Sequence, residues 1–148
     1  MKLEVTAEMG AADLPNAPFV REPAIRTRAM PKDTNSDGDI WGGWLLAQMD
    51  LAGEVAARER TRCRVVTVAV DAMEFHRPVK VGDVVSFYAD VVHEGRTSLA
   101  VRVLAIATSE ESGRKETVTE GRFTFVAIGA DGRPQAVDPE QRGSGKPC

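Results

Sequence analysis

Asp50 stands in an apolar stretch, Trp44-Leu45-Leu46-Ala47-Gln48-Met49-Asp50-Leu51-Ala52, shortly after the pair Gly42-Gly43. An ionised carboxylate among such neighbours is costly unless it is paired or opened to water. Proteins commonly retain such a group for its chemistry. Spacing leaves two readings open. The carboxylate takes a proton from water or attacks an electrophile itself, or it is hydrogen-bonded for structure or faces solvent at a helix edge. Asn35, upstream, carries an amide that can orient a carbonyl or a water. At Gly43 the backbone N–H groups of a helix start, with the positive end of its dipole, suit a developing oxyanion. A Gly-Gly pair also serves simple close packing. Oxyanion donors, an amide and a carboxylate are what hydrolysis of an activated acyl group needs. No Gly-x-Ser-x-Gly elbow is present, neither Cys63 nor Cys148 has a persuasive catalytic setting, and His76 and His93 alone build neither a triad nor a zinc site. If the chain hydrolyses esters, a carboxylate does the work.

The loop before the helix first invites a calcium reading. Asp33, Asn35, Asp37 and Gly38, with Ile40, match the opening of an EF-hand loop. The match fails at the twelfth position, where a bidentate Glu is required and Trp44 stands. Pro23 and Pro31 also deny the loop an entering helix. No metal site is expected.

These groups need elements to hold them. Trp44 to Glu59 contains no Pro and a single Gly, with Ala and Leu abundant, and reads as a helix of about four turns. Its first half is apolar nearly all round, which predicts burial on most sides. Ala24 to Met30 is a short candidate strand stopped by Pro31. Four strand-like runs follow the helix: Arg64 to Phe75, Asp83 to His93, Thr97 to Thr108 and Glu116 to Ile128. Within them Val66, Val68 and Val70 alternate with Thr67, Ala69 and Asp71, and Leu99, Val101 and Val103 alternate with Ala100, Arg102 and Leu104. Short connections at Glu94-Gly95-Arg96 and between Glu110 and Arg114 suit hairpins. One long helix and several antiparallel strands describe an α+β hotdog architecture, a central helix wrapped by a curved antiparallel sheet of about five strands. A thin sheet over one helix leaves apolar surface, which favours association. The expected organisation is an irregular arm over 1–22, a single domain over 23–130 and a flexible, frayed tail over 131–148.

Bulk properties agree with one soluble domain. The chain has 148 residues, 43% hydrophobic and 28% charged. A net charge of -3 supplies no basic footprint for nucleic acid. Two cysteines make no disulfide framework, and a reduced cytoplasmic setting fits. The first twenty residues do not read as a signal peptide, and no apolar run approaches membrane-spanning length.

A longer pattern is more specific. Arg26-Thr27-x-Ala29-Met30-Pro31-x-Asp33-Thr34-Asn35, then Gly38-Asp39-Ile40-x-Gly42-Gly43-Trp44 and Gln48-Met49-Asp50, resembles the hotdog-fold acyl-CoA thioesterases of the YciA type. Arg64-Val65-Val66-Thr67-Val68, Phe75-x-x-Pro78-Val79-x-Val81-Gly82-Asp83-Val84-Val85 and Phe123-Thr124-Phe125-Val126-Ala127 continue the likeness in order, from about residue 25 to 134. The resemblance implies hydrolysis of acyl-CoA to a free acid and coenzyme A, with no metal or redox cofactor. It implies Asp50 as general base or nucleophile, Asn35 positioning water or substrate, and Gly43 as backbone oxyanion donor. It further implies a site at a homodimer interface, Asn35 of one chain facing Asp50 of the other, with the dimers assembled as a hexamer, a trimer of dimers. Trp41 departs from the Phe or His that relatives often carry, which implies an altered acyl pocket.

Coenzyme A also needs a phosphate grip. Gly95-Arg96-Thr97-Ser98 resembles the family's segment near the nucleotide or pantetheine, and its N–H groups, hydroxyls and guanidinium suit a phosphate. Arg77, Lys80, Arg114 and Lys115 are further basic candidates, each more often explained as a solvated surface charge. Two rivals remain. One is a hotdog enoyl-thioester hydratase or dehydratase, which would pair a carboxylate with a His. The other is a module that binds acyl-CoA without turnover.

Overall fold

The computed structural model describes residues 22–143 and 148. The irregular arm expected over 1–22 lies, Glu22 apart, outside the described residues. Five strands and one long helix make up the rest: β1 (Ile25–Arg28), α1 (Gly42–Thr61), β2 (Arg64–Val70), β3 (Val84–Glu94), β4 (Ser98–Thr108) and β5 (Lys115–Ile128). Single 3-10 turns occur at Pro31–Asp33 and Pro139–Gln141. The strands form one sheet in the order β1-β3-β4-β5-β2, antiparallel throughout. This is the expected helix wrapped by a five-stranded sheet.

Alternation on the central strands makes the core. Leu99, Val101, Val103, Ala105 and Ala107 on β4 are buried, as are their partners Phe87 and Val85 on β3 and Phe123 and Phe125 on β5. The helix lays Trp44, Leu45, Met49, Ala52, Gly53 and Ala57 on this surface, at the three- and four-residue spacing of one stripe. Gly53 permits the approach: a Cβ there would lie 2.9 Å from the Phe125 ring. The expectation of burial on most sides of the helix is corrected. Leu51 is 49% exposed, and Val55, one turn on, is exposed as well. A single sheet covers one stripe, and the opposite apolar residues are left bare.

Element bounds shift by a few residues. The helix begins at Gly42, two residues before the apolar run. It ends at Thr61, followed by Arg62 in the left-handed conformation at φ 59°. The expected strand from Arg64 to Phe75 stops at Val70, and Phe75 keeps only an isolated bridge to Thr119. Among the described residues β2 is an edge strand paired only with β5, and it carries a register shift between Thr67 and Ala69. Its inner face begins with buried Val65, while Val66, Val68 and Val70 are exposed, Val68 by 56%.

The tail expected to fray from residue 131 instead folds back. Pro134 bridges Ile128, the Gln135 N–H donates to the Ala127 carbonyl at 2.8 Å, and Ala136 and Val137 are buried. Arg142 is buried too, its guanidinium donating to the carbonyls of Ala136 (2.8 Å), Val137 (3.1 Å) and Thr61 at the end of the helix. Cys63 and Cys148, expected to be reduced and unpaired, are joined by a disulfide with Cα atoms 5.0 Å apart. A short apolar pair and one buried cation thus hold a segment whose composition reads as loop. Among the described residues, no helix is long and apolar enough to cross a membrane.

Candidate active site on the open side of the helix

Asp50 is half-buried on the part of α1 that faces β2, and the hydroxyl of Thr67 donates to its Oδ1 at 2.6 Å. Strand alternation explains the contact: Thr67 lies two residues from inward-facing Val65, so its side chain turns to the helix. The register shift immediately after Thr67 is the kind of bulge that re-aims a side chain beside a site. Among the described residues no other donor reaches the carboxylate, so Oδ2 is open. The hydrogen bond satisfies part of the structural reading of Asp50 and leaves the chemical one intact: the carboxylate is held at one oxygen and available at the other.

Asn35 sits in an exposed loop closed by the Thr34–Ile40 bridge. Its Oδ1 accepts from the backbone N–H groups of Asp37 (2.9 Å) and Asp39 (3.1 Å), and its own N–H donates to the Asp39 carbonyl at 2.7 Å. Gly38, at φ 87°, makes the reversal. Buried Asp33 anchors the loop by accepting from the Met30 N–H and the Lys32 ammonium, each at 3.1 Å. The carbonyl end of the Asn35 amide is therefore committed to the loop, and its NH2 end is turned away as a donor.

The loop delivers the chain to Gly42 and Gly43, whose N–H groups have no acceptor within the helix they begin. Gly43 also has a packing role. A Cβ on Gly43 would lie 2.8 Å from the Trp41 ring, and one on Gly42 would touch the Phe75 ring at 3.8 Å. Two exposed aromatic rings thus flank the helix start. Gly42 and Asp50 are eight residues apart, or about 12 Å along the axis. Within one chain, Asn35 and Gly43 share the start of the helix while Asp50 and Thr67 lie further down.

The basic candidates separate into two groups at opposite ends of β4, about 33 Å apart. At the far end from the Arg96 turn, Arg77 and Arg114 lie 3.5 and 3.9 Å from Glu116, Lys80 lies 3.7 Å from Asp39, and Lys115 donates to the Thr108 hydroxyl at 3.2 Å. The Gly95-Arg96-Thr97-Ser98 turn is closed by the Gly95 N–H on the Ser98 carbonyl at 2.7 Å. Arg96 is exposed, with no carboxylate in ion-pair reach among the described residues. The two groups therefore cannot grip one phosphate cluster within one chain. Neither His76 nor His93 is hydrogen-bonded to Asp50 or Asn35 among the described residues, so the His–carboxylate pair of a hydratase is not formed there.

Thr67 is the residue that sequence reasoning missed. Its one signal is a hydroxyl on the inward side of a valine-rich strand that follows the helix, which a β-branched residue in a strand disguises.

Known proteins are similar to this chain in sequence and fold. Residues 37–113 match the thioesterase superfamily. The acyl-CoA thioester hydrolase YciA of Escherichia coli is 46% identical over 119 residues, covering 78% of this chain and 90% of YciA. The hexameric broad-specificity acyl-coenzyme A thioesterase HI0827 superposes with a TM-score of 0.76 at 43% identity, covering 82% of this chain and 84% of that one. A form of HI0827 with an aspartate changed to alanine matches at 42% identity and a TM-score of 0.76, covering 82% of this chain and 89% of that one. An acyl-CoA hydrolase of Staphylococcus aureus with an asparagine changed to alanine, in complex with coenzyme A, matches at 27% identity and a TM-score of 0.73, covering 77% and 68%. With its helix, its five-stranded wrap and identity at this level over most of its length, the chain belongs to the hotdog-fold thioesterase superfamily, alongside the acyl-CoA thioester hydrolases of the YciA type.

Proposed function

We propose that this protein is an acyl-CoA thioesterase acting in the cytoplasm, cleaving acyl-CoA to a free carboxylic acid and coenzyme A without metal or redox cofactor. The observation that carries the reading is the Asp50 carboxylate, fixed at Oδ1 by Thr67 and open at Oδ2 on an uncovered side of the helix. Asp50 removes a proton from the attacking water, or attacks the thioester carbonyl itself. The Gly43 N–H stabilises the oxyanion at the positive end of the helix, and the Asn35 NH2 orients water or substrate. Arg96, with Thr97 and Ser98, meets the coenzyme A phosphates. Arg77, Lys80, Arg114 and Lys115 are weaker candidates, since in one chain their charges are already matched or bonded.

About 12 Å of helix between Gly43's turn and Asp50 supports a site shared by two chains. The surface for the second copy is at hand: the unpaired edge of β2 with Val66, Val68 and Val70, beside Leu51 and Val55. An apolar patch on a sheet edge suits a two-fold contact in which each chain contributes the same face. A homodimer, three of which make a hexamer, is the corresponding assembly.

Thiol release from a panel of acyl-CoAs tests the activity. Wild type turns over at least part of the panel and Asp50→Ala loses that turnover; undiminished hydrolysis by the mutant removes Asp50 from the mechanism, and no release from any acyl length leaves a binding module. Mixed oligomers of Asn35→Ala and Asp50→Ala chains recover part of the activity if the site is shared, and recover none if it is not. Single-turnover hydrolysis in heavy-oxygen water separates the two roles of Asp50. A nucleophile whose anhydride is opened at its own carbonyl takes the label into its carboxylate, and a general base delivers the label to the product acid.

A further inference from the structure

The folded-back C-terminal segment has no place in the reaction just described, yet it touches the turn assigned to coenzyme A. Its Val137 N–H donates to the Arg96 carbonyl at 2.8 Å, and the Ala127 N–H, one step away, donates to the Thr97 carbonyl at 3.0 Å. From there the segment crosses to the far end of α1, where Arg142 binds the Thr61 carbonyl. Two residues beyond Thr61 stands Cys63, 3% exposed, its N–H donating to the Thr61 hydroxyl at 3.1 Å. The chain holds two cysteines, and the fold brings them together across 85 residues at a Cα separation suited to a disulfide.

We infer that residues 134–142 are a strap that positions the Arg96 turn, and that reversible oxidation of Cys63 and Cys148 fastens it, so that affinity for acyl-CoA depends on thiol state. The function of the turn rests on the thioesterase reading above; the fastening itself does not. The physical argument is one of restraint. The Arg96 backbone is held by Val137, Val137 is held by Arg142, and Arg142 is held by the end of the helix that carries Cys63. With the disulfide open, the strap depends on hydrogen bonds and two small buried side chains. With it closed, the Arg96 guanidinium is presented from a turn that has less freedom left to lose on binding.

The oxidant is a low-molecular-weight disulfide such as oxidised glutathione. One cysteine thiolate attacks it, forms a mixed disulfide and releases one small thiol. The second cysteine thiolate then attacks the protein-side sulfur, closes Cys63–Cys148 and releases the other small thiol. Two electrons pass from the protein to the oxidant, and excess small thiol reverses both steps.

The full chain is treated with dithiothreitol or with oxidised glutathione, and its free thiols are counted by alkylation and intact mass. KM and kcat are then measured with butyryl-CoA in both states. Expected are two reactive thiols reduced and none oxidised, KM at least about fivefold lower in the oxidised form, and kcat unchanged within twofold. Cys148→Ser keeps the KM of the reduced form and ignores the oxidant. Arg142→Met raises KM while kcat is retained. Two reactive thiols after oxidation overturn the fastening. Equal KM in both states, or an oxidant response that survives in Cys148→Ser, overturns the coupling to the turn. A protein that hydrolyses no acyl-CoA in either state refutes the thioesterase reading instead, while the thiol count still decides the fastening.

Discussion

The two ends of α1 are finished in opposite ways. At the C-terminal end, Arg62 closes on the Arg58 carbonyl at 2.7 Å, the Thr61 hydroxyl donates to the Ala57 carbonyl, Arg60 forks onto Glu94 at 2.6 and 3.0 Å, and Arg142 reaches the Thr61 carbonyl. At the N-terminal end, Trp41 supplies no side-chain cap, and two glycines leave N–H groups facing out between exposed rings. A helix terminus without caps is a cost in stability unless something else fills it. The closed end bears on holding the fold, and the open end, together with the Asp50 face, bears on what the protein does. Substitutions at the open end should therefore change kcat and spare stability, and substitutions at the closed end should lower stability and spare kcat.

The largest break in that contrast is Asp50→Asn, which keeps the shape and removes the charge. We expect kcat to fall by about 10²–10⁴-fold, the range for a lost acid–base group, with a melting temperature close to that of wild type. A melting temperature well below wild type would show that Asp50 is a structural carboxylate after all. Next is Arg142→Met, which leaves three carbonyls without their buried donor. A loss of about 2–4 kcal/mol in denaturant unfolding is expected, with kcat retained; equal stability would mean that the closed end is not held by this cation. Thr67→Val removes the hydroxyl from Asp50 and keeps the β-branched shape. About a tenfold drop in kcat, or about 1.4 kcal/mol of transition-state free energy, is expected, and rescue by Thr67→Ser would locate the effect in the hydroxyl. The smallest is Arg77→Ala, at an exposed ion pair with Glu116. Stability should move by less than about 0.5 kcal/mol. Wild-type KM would return Arg77 to the surface charges, and a raised KM would return it to the phosphate grip.

Most of the fold is legible in the chain. The alternation of Leu99, Val101 and Val103 and the uninterrupted helix from Trp44 to Glu59 follow from local periodicity, which one sequence displays in full. The errors fall where distant contacts decide. Residues 131–142 read as a frayed tail, yet Val137 and Arg142 find partners at Arg96 and Thr61. Whether Arg77, Lys80, Arg114 and Lys115 stand near Arg96 is not legible in the sequence. The strands then place them at the opposite end of the sheet, beside carboxylates in most cases.

By itself the sequence determined the helix and the succession of strands along the chain, and singled out Asp50 as a candidate, because periodicity and a costly charge among apolar neighbours are local properties. Tertiary structure alone decided that Thr67 holds Asp50, that Asn35 commits its carbonyl to its own loop, and that Cys63 meets Cys148. Such pairings depend on which faces a curved sheet brings together, and their sequence separations carry no periodic mark.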